Sequence, residues 1–146
     1  MQSLSQGETI RFSIPADPKY AVMVRRAVRT VASRLGFPDD MAADIEISVA
    51  EAVSNAIEHG SPDHSANAVA IVCRFEGDKL TIDVRDEGSG FVLAGFQAPR
   101  RSLAERGRGL KLIYRLVDRV RICRTVHGSK LRMVIRKPPH AQGFTG

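Results

Sequence analysis

Two pairs of short apolar segments, each pair joined by a tight turn, restrict this chain to a fold built on antiparallel hairpins. In the first pair, Val69–Phe75 and Leu80–Val84 flank a short turn that contains a glycine. In the second pair, Val120–Thr125 and Leu131–Ile135 flank another glycine turn. A connection this short joins neighbouring antiparallel strands, whereas parallel strands need a long crossover. The sequence therefore predicts a sheet that is mainly antiparallel.

Apolar residues at helical spacing predict three helices to pack on this sheet. The predicted helices are helix one from Pro18 to Leu35, helix two from Asp39 or Asp40 to about His59, and helix three from Arg108 to Val117. A further strand, Glu8–Ile14, alternates apolar and polar residues ahead of the first helix. This order of elements favours an α+β two-layer sandwich, with a mixed, mainly antiparallel sheet and three helices on one face.

The length and composition indicate one compact domain. With 146 residues, 43% of them hydrophobic, the chain is long enough for a single core. We expect one domain over residues 1–146, with a core at about 8–137 and a flexible tail at 138–146. Charged residues interrupt every long apolar run, and residues 1–7 lack a secretory pattern, so we expect no membrane association and a cytoplasmic location.

The net charge of +6 predicts an anionic partner but does not identify it. Nucleic acid fits the charge, yet aromatic residues are only 5% of the chain and tryptophan is absent, so base-stacking platforms are poorly supported. We therefore expect no direct binding of nucleic acid. Cys73 and Cys123 show no metal-ligand spacing and are expected to be buried, reduced thiols.

Helix two carries a row of polar side chains beside its apolar arc. Glu51, Asn55 and His59 follow one another at four-residue spacing, which places them on one side of a helix. A carboxylate, an amide and an imidazole that border a core are well placed to work in a cleft at the edge of the sheet. On helix two alone, a solvated helix face is the simpler interpretation.

Two glycine-rich segments follow. Asp86, Gly88 and Gly90 come directly after a predicted strand, where glycine lets the backbone approach a ligand and a carboxylate can accept hydrogen bonds from an exocyclic amine. Gly107 and Gly109 come directly before helix three, whose free N–H groups form a phosphate site. The stretch after Asp86, through Arg106, is about twenty residues long and rich in glycine and arginine, a length typical of lids and binding loops. The spacing excludes a P-loop.

Taken together and in this order, the three elements resemble the N box and the two glycine boxes of the Bergerat-fold, GHKL-type ATPases. Within that superfamily, the residue patterns of Ser48–Gly60 and Glu105–Leu110 resemble those of the anti-sigma factor serine/threonine-protein kinases of bacterial partner-switching systems. The resemblance extends from Ile10 to Ile135. It implies the Bergerat fold, binding of ATP and Mg²⁺, and a protein kinase activity.

The resemblance also implies a role for each matching residue. Glu51 would be the general base, Asn55 the Mg²⁺ ligand and Asp86 the acceptor for the adenine amine. Ser129 matches a hydroxyl that supports the adenine site through water. The remaining cofactor-binding positions would shape the adenine wall, the phosphate site and the lid, and they are Gly88, Gly90, Arg106, Gly107, Arg108, Gly109 and Leu110. Arg108 departs from the family pattern, in which an uncharged residue is common, and adds a cation near the phosphates.

The function that the resemblance implies is that of an ATP-dependent serine/threonine kinase and anti-sigma factor. Such a protein phosphorylates a STAS-domain anti-anti-sigma protein, sequesters a sigma factor and forms a homodimer through its first strand or its outer sheet face. An ATP-binding anti-sigma or adaptor module with little kinase activity is the alternative, and Glu51 argues against it because a pure binder needs no base. On helix one, a basic face formed by Arg25, Arg26 and Arg29 is a candidate docking surface for an acidic region of a partner, and a solvated helix face explains it equally well.

Overall fold

The computed structural model describes residues 7–59, 67–87, 110–125 and 128–139. The order of elements in these ranges matches the order predicted from the sequence. The elements are β1 Thr9–Pro15, α1 Ala21–Arg34, α2 Asp39–His59, β2 Ala68–Glu76, β3 Lys79–Asp86, α3 at residues 110–116, β4 Arg119–Thr125 and β5 Gly128–Arg136, with a short 3-10 turn at Pro18–Tyr20 before α1.

The five strands form one sheet in the order β1-β2-β3-β5-β4. All four pairings of neighbouring strands are antiparallel, and both predicted hairpins, β2-β3 and β4-β5, are present. Gly77 has a φ of 62° in the first turn, a conformation that suits glycine because it lacks a Cβ. The predicted α+β fold class is confirmed, and the described part of the sheet is antiparallel throughout.

The helices cover one face of this sheet, and the core lies between the two layers. Alternate strand residues such as Ile71, Ile82 and Met133 are fully buried, as the period of two in a strand requires. The apolar arc of α2 packs on them, with Ile45 and Val49 almost inaccessible to solvent. Packing of this arc is what positions the adjoining polar row of α2 at the edge of the sheet.

The ends of the helices follow local signals in the sequence. Gly36, at a φ of 89°, ends α1. The helix α2 begins at Asp39, so Asp39 and Asp40 lie inside its first turn rather than before it. There the two carboxylates favour the helix because its N-terminus carries a partial positive charge. In the described parts of the chain, no helix is both long and apolar enough to cross a membrane.

One carboxylate is buried on the face of the sheet opposite the helices. Asp83 accepts hydrogen bonds from Arg132 at 2.7 and 2.9 Å and from Arg85 at 3.3 Å. Burial alone would raise the pKa of Asp83, but the hydrogen bonds and charge of Arg132, aided by Arg85 and Lys130, outweigh burial and lower that pKa below its ordinary value. Asp83 is therefore ionised at neutral pH.

The two cysteines differ in environment. Cys73 is buried, and its burial, together with the nearby charge of Asp83, raises the pKa of its thiol to about 12. Cys123 is exposed, which corrects the expectation that both thiols are buried. The reason is the alternation of β4, in which Val120 and Ile122 turn toward the helices and Cys123 therefore turns away.

Candidate functional site

A cleft opens between α2, the start of α3 and the adjoining ends of β3, β4 and β5. It brings together four of the residues singled out from the sequence, namely Asn55, Asp86, Leu110 and Ser129. These residues are far apart in the chain. The two hairpins join side by side through the pairing of β3 with β5, which brings Asp86 next to Ser129. The other lining residues are Ala52, Ala56, Val84, Ile122, Arg124, Lys130 and Leu131.

Asp86 and Ser129 form the polar centre of this cleft. They face each other across the β3-β5 pairing. The backbone N–H of Ser129 donates to Oδ1 of Asp86 at 3.0 Å, and the Ser129 hydroxyl donates to Oδ2 of the same carboxylate through a short hydrogen bond. Ser129 thereby holds both carboxylate oxygens of Asp86 in a fixed orientation.

Gly128 makes this arrangement possible. Its φ is 142°, and a Cβ built on it would lie 2.2 Å from the backbone carbonyl oxygen of Asp86. Side chains cannot approach a carbonyl this closely, so only glycine lets the start of β5 lie against the end of β3. The residue was noted in the sequence only as part of a hairpin turn, and the close approach could not be inferred from its position.

The helix wall of the cleft is made of small residues around one amide. Ala52 and Ala56 are buried, and Asn55 between them is half-buried at the cleft. Glu51 lies one helical turn before Asn55 and is also half-buried, but it is not among the described residues that line the cleft. Ser48 is fully buried and donates its hydroxyl to the Asp44 carbonyl at 2.8 Å, which identifies it as a packing residue.

Leu110 begins the described part of α3, and the chain before it carries most of the predicted phosphate site. The predicted positions Gly88, Gly90, Arg106, Gly107, Arg108 and Gly109 lie outside the described residues. Leu110 lines the cleft, and Ile113, one turn later, is fully buried in the core. The start of α3 therefore faces the same cleft as Asn55 and Asp86.

Sequence reasoning missed one cation of the cleft, Arg124, and Lys130 also borders the cleft although its place in β5 turns its side chain to the outer face of the sheet. Arg124 faces Ser129 across the β4-β5 pairing, and Lys130 follows Ser129 in β5. Alternation offered a usable signal for Arg124, because Ile122 turns toward the helices and the residue two positions later must turn the same way. The apolar walls formed by Val84 and Leu131 follow from the same rule.

On helix one, the predicted basic face is partly neutralised. Arg25 lies 3.4 Å and Arg29 lies 3.7 Å from the carboxylate of Glu46 on α2. These pairs are partly exposed, so each contributes little to stability. They do lower the net charge that this surface can offer to a partner.

The two-layer fold and this cleft define a domain of the histidine kinase-like ATPase class, and the model of that family matches residues 14–135. Among curated relatives, serine-protein kinase RsbW of Bacillus velezensis is 34% identical over 122 residues, covering 77% of this chain and 76% of the relative. RsbW of Bacillus subtilis is 32% identical, covering 81% and 79%. The chain belongs to the family of serine-protein kinases RsbW.

A solved structure supports the fold independently. The RsbU and RsbW domains of a Mycobacterium tuberculosis protein align with a TM-score of 0.64 over 88% of this chain, at 24% identity. The aligned region is 32% of that longer chain, so the present chain spans about a third of it. At this level of identity the likeness concerns the fold alone.

The described residues fit a purine nucleotide. An oriented carboxylate can accept from an exocyclic amine, and Val84, Ile122 and Leu131 supply the apolar walls that a flat base requires. Asn55 adds an amide oxygen on the helix wall, and oxygen is the ligand type that Mg²⁺ prefers. The described residues contain no group of three or more His, Cys, Asp or Glu side chains that could hold a metal ion. A metal here would therefore draw most of its ligands from the nucleotide and water.

Proposed function

We propose that the chain is an ATP-dependent serine/threonine kinase and anti-sigma factor, which phosphorylates a STAS-domain anti-anti-sigma protein and sequesters a sigma factor. The observation that carries this proposal is the convergence of Asn55, Asp86, Leu110 and Ser129 on one cleft of a histidine kinase-like ATPase domain. The relatives named serine-protein kinase support the same activity.

In this proposal the adenine base lies against the β3-β5 side of the cleft. Asp86 accepts a hydrogen bond from the exocyclic amine, and Ser129 holds the carboxylate in place while supporting the base through water. The Ser129 hydroxyl is already committed to Asp86, so the serine acts first as a positioning residue. An amine donor then meets a charged acceptor, and such hydrogen bonds are stronger than neutral ones.

The phosphates lie toward α2 and the segment before α3. Asn55 would hold Mg²⁺ through its amide oxygen, and the ion would supply positive charge at the triphosphate. The glycine positions Gly88, Gly90, Gly107 and Gly109 let the backbone wrap the nucleotide. Arg106 and Arg108 add cations at the phosphates, and Arg106 reaches the γ-phosphate or the protein substrate.

Glu51 is the proposed catalytic residue. It takes the proton of the substrate hydroxyl while the hydroxyl oxygen forms a bond to the γ-phosphorus and the bond from that phosphorus to the bridging oxygen breaks. The products are the phosphorylated side chain and ADP. Glu51 is half-buried and lies one helical turn before Asn55, which supports this role.

The alternative is an ATP-binding anti-sigma or adaptor module without kinase activity. The relatives named as kinases do not favour it, and Glu51 is the residue that separates the two functions. We propose further that residues 1–146 act as one domain in the cytoplasm, where a sigma factor works, that the chain forms a homodimer, and that it does not bind nucleic acid directly.

The experiment is phosphoryl transfer from radiolabelled ATP to a candidate STAS-domain protein. We expect Glu51→Gln to lower the rate by roughly a hundredfold or more, the usual contribution of a general base, while ATP binding is retained. The matched control is Glu58→Gln, which removes an exposed carboxylate from the same helix and is expected to leave the rate unchanged. If Glu51→Gln labels the STAS-domain protein as fast as the parent chain does, Glu51 is not part of the mechanism. If the parent chain binds ATP but does not label the STAS-domain protein, the adaptor function is favoured.

A further inference from the structure

The sheet face opposite the helices concentrates positive charge on neighbouring strands. Three cross-strand pairs on this outer face place two cations directly opposite each other. The pairs are Lys79 with Arg136, Arg85 with Lys130, and Arg121 with Arg132. Like charges at directly opposed positions of an antiparallel sheet are destabilising. Such a cost is commonly retained where the charges serve a binding function.

Acidic side chains on this face compensate only part of the charge. The buried Asp83 binds Arg132 and Arg85, and the exposed Asp78 lies 3.1 Å from Arg136. Arg121 is exposed and forms no ion pair within the described residues. The outer face therefore keeps an excess of cations that point to solvent.

An uncharged diagonal crosses the centre of the outer face. Thr81 faces Val134 directly across the β3-β5 pairing, and Val72 on β2 lies diagonally across from Thr81. Val72 is only 8% exposed, and Thr81 and Val134 are half-buried. A desolvated, weakly polar centre inside a charged rim is the usual anatomy of a protein interface.

We propose that the outer face, formed by β2, β3, β4 and β5, docks an acidic protein surface. The positive charge of the outer face calls for a negatively charged partner, and the uncharged diagonal offers that partner an apolar contact. This docking is separate from catalysis, because the nucleotide cleft opens on the helix side of the sheet.

Two other occupants fit the observations less well. A nucleic acid would bring phosphates against Asp83 and Glu76, and the outward residues of the described strands include no aromatic side chain on which a base could stack. A second copy of the chain, docked face to face about a two-fold axis, would set the same cations against each other. A homodimer would then use β1 instead, the strand at one edge of the described sheet.

The test measures binding of a fluorescent polyglutamate peptide, about twenty residues long, to the full chain without ATP. The charge-reversal variant is Lys79→Glu with Arg121→Glu, and the matched control is Arg26→Glu with Arg34→Glu on α1, which changes the net charge equally. We expect the outer-face variant to weaken the affinity roughly tenfold and the control to change it less than about twofold. We also expect the single variant Arg121→Glu to melt at the same or a higher temperature, because it removes the like-charge pair with Arg132.

Several results would overturn the proposal. Loss of polyglutamate binding in the helix-one control, with binding retained in the outer-face variant, would assign acid recognition to α1. Binding of a DNA duplex of similar charge at equal or higher affinity than polyglutamate would identify a nucleic-acid surface. A melting temperature of Arg121→Glu well below that of the parent chain would contradict the premise that Arg121 and Arg132 repel each other at a cost in stability. The single change Arg121→Gln, expected to weaken binding about threefold, provides a milder variant for the same comparison.

Discussion

Replacing Gly128 with alanine tests the packing that holds the polar centre of the cleft. The new Cβ would lie 2.2 Å from the carbonyl oxygen and 3.1 Å from the carbonyl carbon of Asp86. An ordinary contact needs roughly 3.5 Å, so the start of β5 must move away from the end of β3 by about 1 Å. Both hydrogen bonds from Ser129 to Asp86 would then be stretched beyond the usual limit.

The cost can be worked out from these contacts. Alanine at a φ of 142° is strained by roughly 1–3 kcal/mol. Weakening two hydrogen bonds to a carboxylate adds about 1–3 kcal/mol. The sum, about 4 kcal/mol, is a large part of the 5–15 kcal/mol that stabilises a typical domain. With a urea dependence of about 2 kcal/mol per molar, the unfolding midpoint should fall by about 2 M.

The assay is equilibrium unfolding in urea, followed by circular dichroism. The matched control is Gly77→Ala, because Gly77 also has a positive φ in a hairpin turn but its Cβ would meet nothing within 4 Å. The control should lose only the backbone contribution, about 1–2 kcal/mol. If Gly128→Ala unfolds at the same urea concentration as Gly77→Ala, the close approach to Asp86 does not constrain this position.

Two further predictions concern groups whose pKa is shifted. Asp83 has a lower pKa in the folded chain than in the unfolded chain. Its stabilising contribution is therefore fully present at a pH above its unfolded-state pKa and is lost as the pH falls through its folded-state pKa. The difference in unfolding free energy between the parent chain and Asp83→Asn, measured in urea, should therefore be large at about pH 6 and smaller near about pH 3. A difference that grows in acid would contradict the ion pairs assigned to Asp83. Because the pKa of Cys73 is raised to about 12, its thiol should resist alkylation at neutral pH while the exposed Cys123 reacts. Mass spectrometry of the folded chain should show one modified cysteine, and modification of Cys73 before Cys123 would contradict the burial assigned to it.

Much of the fold could be predicted from local patterns in the sequence. Alternation located the strands, glycine turns paired them as hairpins, and helical spacing located α2 with the correct inward arc. The family and its fold were also predicted, because the spacing of Glu51 and Asn55 with two downstream glycine segments is specific, and both predictions are confirmed.

The features that were missed depend on contacts between distant residues. The bond between Asp86 and Ser129 exists because β5 lies beside β3, and the order of strands is not visible in any local window. The same pairing creates the opposed cations of the outer face and buries Asp83 among arginines. The exposure of Cys123 was predictable from the alternation of β4, but cysteine is so often buried that composition pointed the other way. The site roles, from Glu51 to Ser129, stay predictions.

The most direct measurement is calorimetric titration of the folded chain with ATP, with Mg²⁺ and with the metal chelated. We predict one nucleotide bound per chain, tighter binding with Mg²⁺, and loss of that magnesium enhancement in Asn55→Ala, while Asp86→Asn weakens binding in both conditions by about tenfold or more. The absence of ATP binding by the folded parent chain, or a magnesium enhancement that persists in full in Asn55→Ala, would contradict the claim that α2 and the sheet edge share one magnesium-bound nucleotide.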